Sequence, residues 1–286
     1  MFSRCLIAFV SQFLALLLNP PAYSADRTPA DLVLVQEGSL PIILTAPHGG
    51  REAIPGVAPR NAEDKGKVEA SRQWGGFDTR HDVNTDTLVQ GIAAEIEKLT
   101  GNKPYLVMAK FERKYVDANR PPEIGLDDPK ARPYYDYYHD SVRSFIDDVR
   151  GKYPAGLLID VHGQRKDRGV LMRGTRNGRT ITKLLERAGV PAVTGSNGVF
   201  GQLEANGFKV FPANDVPPAG TGENAGYTGG YTVSIYGSHI TNGIDAVQME
   251  FGGKYLPKVV LDKSARNAAK AIVAFHDAYL NEAAIR

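Results

Sequence analysis

The chain has 286 residues, 42% hydrophobic and 23% charged, with a formal net charge of +2. This is the composition of a globular protein long enough to bury a sizeable core. No Lys/Arg-rich block stands out, so neither nucleic acid nor an acidic membrane face is suggested as a partner.

Residues 1–25 read separately from the rest. MFSR supplies a positive charge, CLIAFVSQFLALLL is an apolar run short for a membrane span, and NPPAYSA brings a helix breaker and small residues. That order is expected of a secretory signal peptide cut near Ser24 or Ala25, with an uncleaved anchor helix as the alternative. Cys5 is the only cysteine and lies within this segment. The mature chain would carry no thiol, which excludes disulfides and cysteine chemistry. Cys5 also sits too early for a lipid-modified cysteine after a leader. The expected location is secreted or periplasmic, with no stable membrane insertion after cleavage.

Residues 26–286 read as one α/β domain of alternating strands and helices, a mixed central sheet flanked by helices. Short apolar runs bounded by Gly, Pro or charge predict strands at Pro41–Ala46, Pro104–Ala109, Gly156–Val161, Phe208–Phe211 and Asp245–Phe251. Thr85–Leu99 is a predicted helix with Thr85 as N-cap and Leu88, Ile92, Ile96 and Leu99 as its stripe. Tyr134–Val149 is a second, with Tyr138, Val142, Phe145 and Val149 on one face, and Ile181–Ala188 a short third. In the last helix Leu261, Ala265, Ala268, Ile272, Phe275 and Tyr279 follow a 4-3-4-3-4 spacing. Arg51–Asp78 is polar and weakly periodic. Pro212–Gly230 is Gly/Pro-rich, either a disordered excursion or a lid over a site.

Two of the six histidines share a setting. His48 follows the strand PIILTA and His162 follows GLLIDV, and each is succeeded by glycine. The carboxyl edge of an open α/β sheet is where ligands bind, and the glycines are expected to clear space around each imidazole. Either histidine alone could be a hydrogen-bonded loop residue. Together they suggest metal ligands, since a catalytic zinc site commonly takes two histidines, one carboxylate and an open position. The carboxylate could be Asp82 or Asp86 of HDVNTD, with Glu52 as a local competitor. Asp160, two residues before His162, faces the same side of the strand and could orient an imidazole. It could equally be a capping or loop carboxylate. Glu250 lies inside the apolar run DAVQMEF, where a charge is costly without a partner. There it could be a salt-bridged edge residue, or a general base beside a metal-activated water. In FERKYVDANRPP, Arg113 and Arg120 could bind carboxylates and Asn119 a carbonyl or oxyanion, although a solvated loop fits equally. The tyrosines of PYYDYYHD read as core and helix surface, and His81, His139, His239 and His276 stand isolated.

In their order along the chain, several motifs resemble the N-formylglutamate amidohydrolase family. They are PHGG at 47–50, the Asp82 region, ERKYVDANRP at 112–121, the Tyr-rich helix, LLIDVHG at 157–163, GG…YG at 229–237 and AVQMEF at 246–251. That family is similar to the zinc carboxypeptidases, so the resemblance implies a mixed sheet wrapped by helices and one zinc ion. It also implies hydrolysis of an amide bond in a small-molecule or peptide substrate with a free carboxylate. By the same resemblance His48, Asp82 and His162 are the implied metal ligands and Glu250 the base. Arg113 would serve the oxyanion, and Asn119 and Arg120 would hold substrate. The chain departs from the family in GGYTVSIYG, residues 229–237, which lacks the usual basic residues. That departure and the leader point to a divergent member acting outside the cytoplasm. A secreted, non-catalytic binding protein retaining the fold is the alternative. No G-x-S-x-G, P-loop or G-x-G-x-x-G pattern supports serine-hydrolase or nucleotide chemistry.

Overall fold

The computed structural model describes residues 27–218 and 222–281. The leader-like segment, with Cys5, lies outside the described residues. Seven strands form one mixed sheet: β1 (Val33–Gln36), β2 (Ile42–Ala46), β3 (Tyr105–Ala109), β4 (Leu157–Gln164), β5 (Leu171–Gly174), β6 (Val210–Phe211) and β7 (Asp245–Gly252). Their spatial order is β1-β3-β2-β4-β7-β5-β6. The central strands β3, β2, β4 and β7 run parallel, whereas β1 and β5 pair antiparallel with β3 and β7.

Both faces of the central strands are buried, which explains why they read as continuous apolar runs rather than alternating ones. Alternation still decides which side chain meets which layer. Ile42, Leu44, Leu157, Ile159, Val161, Val247 and Met249 join one core cluster with the helices Thr85–Thr100 and Lys258–Tyr279. Ile43, Leu158 and Ala246 join the other, beneath the helix Arg132–Lys152. On that second face the next positions along are Thr45, Asp160, His162, Gln248 and Glu250. The polar residues therefore continue the apolar face toward the carboxyl ends of β2, β4 and β7.

The predicted sheet and its main helices are present, with shifted ends. β4 runs to Gln164, so His162 lies within the strand rather than after it. The helix predicted from Thr85 is preceded by Asn84 as its N-cap, in a left-handed conformation with φ of 61°. Asparagine tolerates that region better than threonine, and the Asn84 side chain donates to the Leu256 carbonyl at 2.9 Å. Leu99 is 47% exposed and leaves the predicted stripe. Val89 and Ala93 take its place beside Leu88, Ile92 and Ile96. Periodicity missed β1 and β5, each four residues long, and the helices Lys65–Ser71, Val199–Ala205 and Tyr231–Tyr236. Elements this short carry too few turns or alternations to show a period.

Ile159 is fully buried at the centre of the sheet. Ile159→Ala should cost about 2–5 kcal/mol in urea unfolding, whereas Leu99→Ala should stay within about 0.5 kcal/mol.

Candidate metal centre

The parallel register brings the polar residues into contact. Thr45 stands opposite Asp160, Asp160 opposite Gln248, and His162 opposite Glu250. Thr45 Oγ1 donates to Asp160 Oδ1 at 2.6 Å, and the other Asp160 oxygen lies 2.8 Å from His162 Nε2. This leaves His162 Nδ1 pointing at Asp82, 3.2 Å from Oδ2. The same Asp82 oxygen accepts from the Gly163 amide at 3.1 Å.

His48 is built in the same way from another element. The chain leaves β2 and passes the amino end of the helix Thr85–Thr100, where the Asp82 amide donates to the His48 carbonyl at 2.9 Å. The two glycines after His48 serve this passage rather than the space around the ring. A Cβ on Gly49 would lie 2.3 Å from the Asp86 backbone nitrogen, and one on Gly50 would lie 2.4 Å from Lys110 backbone atoms. His48 Nε2 is 2.7 Å from Asp117 Oδ1. Among the described residues its buried Nδ1 has no hydrogen-bond partner, and it lies 3.5 Å from Asp82 Oδ2. The two imidazole rings meet edge to face, 4.8 Å between centroids.

His48, Asp82 and His162 therefore form a group whose ligand atoms all lie within 4.8 Å of one another. The donor set fits a divalent metal. Each histidine holds Nε2 against a buried carboxylate, which leaves the Nδ1 lone pair free to ligate. Two such nitrogens and one carboxylate are a set that zinc accepts, with a position left for water. Glu52 and Asp86 stand outside the group. Glu52 pairs with Arg27, and Asp86 occupies the first turn of its helix.

Electrostatics follow from burial opposed by neighbours. Burial works against ionised Asp82, yet the neighbouring His162 and His48 imidazoles outweigh it and hold the carboxyl well below the usual range. Burial likewise opposes ionised Asp117, but Arg113, His48 and Arg120 hold it well below that range. For His162, burial disfavours the imidazolium while Asp160 and Asp82 more than restore it. Glu250 differs: burial prevails over the nearby His162 and lifts its carboxyl to about 7. Its Oε1 accepts from Gln248 Nε2 at 2.6 Å, and Gln248 Oε1 in turn accepts from the Gly230 amide at 2.5 Å.

The other predicted site residues line the same cavity, of about 190 Å³. Arg113 Nε donates to Asp117 at 2.9 Å, and its Nη1 lies 3.9 Å from Asp82. Asn119 has its Oδ1 committed to the Thr232 amide and hydroxyl, at 2.8 and 3.1 Å, with Nδ2 3.3 Å from His162. Arg120 is buried, and both its Nη groups already donate to backbone carbonyls, of Asn119 at 2.7 Å and of Gly76 at 2.8 Å. The segment 229–237, which lacks basic residues, forms a short helix pinned by Asn119 and Gln248. The arginines facing the cavity come from elsewhere: Arg80, Arg113, Arg120 and Arg165. His81, read as isolated, also lines it. His139 is not isolated either, packing among Tyr135, Tyr138 and Tyr236 with Nδ1 2.9 Å from the Tyr236 hydroxyl. Burial lowers its pKa to about 4.

Sequence reasoning missed Asp117 and Gln248. The signal for Asp117 was a lone acid between Arg113 and Arg120. Gln248 had the same i, i+2 relation to Glu250 that marked Asp160 against His162. If Asp117 orients His48, Asp117→Asn should weaken zinc binding about 10- to 100-fold in a chelator competition. Asp86→Asn should leave it unchanged, and an equal loss in both would remove Asp117 from this role.

No protein-family profile matches the chain, and no curated protein sequence does. Solved structures do match in fold. The crystal structure of N-formylglutamate amidohydrolase from Ralstonia eutropha JMP134 aligns at a TM-score of 0.54 and 15% identity, over 85% of this chain and 97% of that one. A gene product of Agrobacterium tumefaciens aligns at 0.51 and 15% identity, over 87% and 96% of the two chains. The chain thus shares the mixed α/β fold of these proteins.

Proposed function

We propose that the protein is a zinc-dependent hydrolase of an amide bond in an N-acyl amino acid or peptide-like substrate with a free carboxylate. The observation that carries this reading is the convergence of His48 Nδ1, His162 Nδ1 and Asp82 beside a buried glutamate on the next strand. The amidohydrolase activity named for the R. eutropha protein of the same fold supports it.

A zinc ion held by His48, Asp82 and His162 would polarise the substrate carbonyl and bring the pKa of water to about 7. Glu250, fixed by Gln248, would take a proton from the attacking water and deliver it to the leaving amine. Arg113 is held by Asp117 at the cavity wall and would stabilise the developing oxyanion, with Asn119 beside it. Arg80, Arg113 and Arg165 offer the substrate carboxylate a positive wall, to which Arg120 adds charge from behind. We place this activity outside the cytoplasm on the strength of the leader-like segment. Among the described residues no helix is long and apolar enough to cross a membrane.

The purified protein should contain near-stoichiometric zinc, and the His48→Ala/His162→Ala double variant should contain none. Absence of zinc and of uptake from added zinc would favour a non-catalytic binding protein instead. Glu250→Gln should retain the metal and lose about 100-fold or more in kcat. A variant turning over at the normal rate would remove Glu250 from the base role.

A further inference from the structure

The turn that leaves β4, residues 165–169, carries Arg165, Lys166 and Arg168 against one acid, Asp167. It is pinned from beneath by the buried Gln164, whose Oε1 accepts from the Asp167 amide at 2.9 Å and whose Nε2 donates to the Val170 carbonyl at 3.2 Å. Asp167 commits Oδ1 to the Gly169 amide at 2.9 Å. The three cations are exposed, and among the described residues none of them pairs with a carboxylate. Lys254 stands beside them, its amide donating to the Arg168 carbonyl at 2.8 Å, and it too has no acidic partner among the described residues. The turn lies at the mouth of the cavity. Arg165 lines the cavity and donates to the His81 carbonyl at 3.4 Å. Lys166 Nζ donates to Asn224 Oδ1 at 3.2 Å, the same oxygen accepts from the Gly226 amide, and Gly226 is cavity wall. Like charges gathered in one turn repel each other, and within a Debye length of about 8 Å they add to the field of the arginines inside. That arrangement favours an anionic ligand.

We propose that this turn, with Lys254, is an exosite for side-chain carboxylates of an acidic peptide-like substrate whose scissile amide lies in the cavity. The inference rests on the hydrolase reading above and narrows its substrate class, from any amide with one free carboxylate to a chain carrying several. Arg165 belongs to both the cavity wall and the turn, so a chain running out past it meets Lys166 and Arg168 next. An extended chain advances about 3.5 Å per residue, which brings successive carboxylates across a turn of this size. Exposed cations on long flexible stems suit carboxylates at variable spacing, whereas a single buried guanidinium fork would select one. The exosite acts through encounter and KM rather than through the chemical step.

The test compares N-acetyl-Glu-Glu-Glu-Glu with N-acetyl-Gln-Gln-Gln-Glu, which keeps the length and the last residue but removes the other side-chain charges. Turnover is read as newly released amine. The zinc-loaded wild type should favour the acidic peptide in kcat/KM, with a preference that falls as salt is raised. Lys166→Ala/Arg168→Ala should reduce that preference about three- to tenfold, through KM, and weaken its salt dependence. Equal kcat/KM for the two peptides in the wild type, or an equal loss on both in the variant, would overturn the exosite. Calorimetry on zinc-loaded Glu250→Gln separates this proposal from the reading beneath it. Tighter binding of the acidic peptide, with no metal-dependent turnover by the wild type, would support the exosite and overturn the hydrolase reading. Equal binding of the two peptides, or none, would overturn the exosite. Cosedimentation with phosphatidylglycerol vesicles that is lost in Lys166→Ala/Arg168→Ala, without any preference between the peptides, would also overturn it and assign the turn to a membrane surface.

Discussion

Four carboxylates, Asp82, Asp117, Asp160 and Glu250, are gathered at the carboxyl edge of one sheet, all but Asp82 nearly or wholly buried. Buried charge is tolerated only when paired and hydrogen-bonded, and much of the local architecture answers that requirement. Asp117 draws on Arg113, Arg60, His48 and the Asn119 amide. Asp160 draws on Thr45 and His162, and Asp82 on two imidazoles and a backbone amide. Among the described residues Glu250 has only Gln248 as a direct hydrogen-bond partner, and it carries the raised pKa. The same neighbourhood thus holds Asp82 and Asp117 low while it raises Glu250.

The scaffold achieves this with a single geometric rule. Alternation along parallel strands puts every second residue of β2, β4 and β7 on one face, and register sets Thr45, Asp160 and Gln248 in one row, with His162 and Glu250 in the next. Apolar members of the same series, Ile43, Leu158 and Ala246, are buried against the helix above. The core and the site are therefore successive stretches of one surface. A one-residue slip of β7 would turn both Gln248 and Glu250 to the opposite face.

Around this rigid floor the cavity walls are loops tied down by side chains. Arg60 and Arg120 grip the segment before Asp82, and Gln248 grips Gly230. Glu223 accepts from the Thr175 and Asn177 amides and so fastens the Gly/Pro-rich segment to the turn after β5. Loops held in this way keep fixed positions without a core of their own. Charge at the site is consequently distributed: Arg80, Arg113, Arg120 and Arg165 come from three segments, and 229–237 carries no basic residue.

The sequence by itself determined five of the seven strands, the long helices and the pairing of His48 with His162, because apolar runs and period-3.6 stripes are local signals. It also marked Glu250 as anomalous, since a charge inside an apolar strand is visible without a partner. Only the tertiary structure decided that Asp82, rather than Asp86 or Glu52, stands with the two histidines. Only it showed that Asp117 rather than solvent faces His48, and that Arg120 holds a backbone wall. Those outcomes depend on contacts between residues tens of positions apart, such as Asp117 with His48 and Asp82 with His162. No local period encodes them, and a polar residue in a loop reads alike whether it meets water, a backbone carbonyl or a buried imidazole.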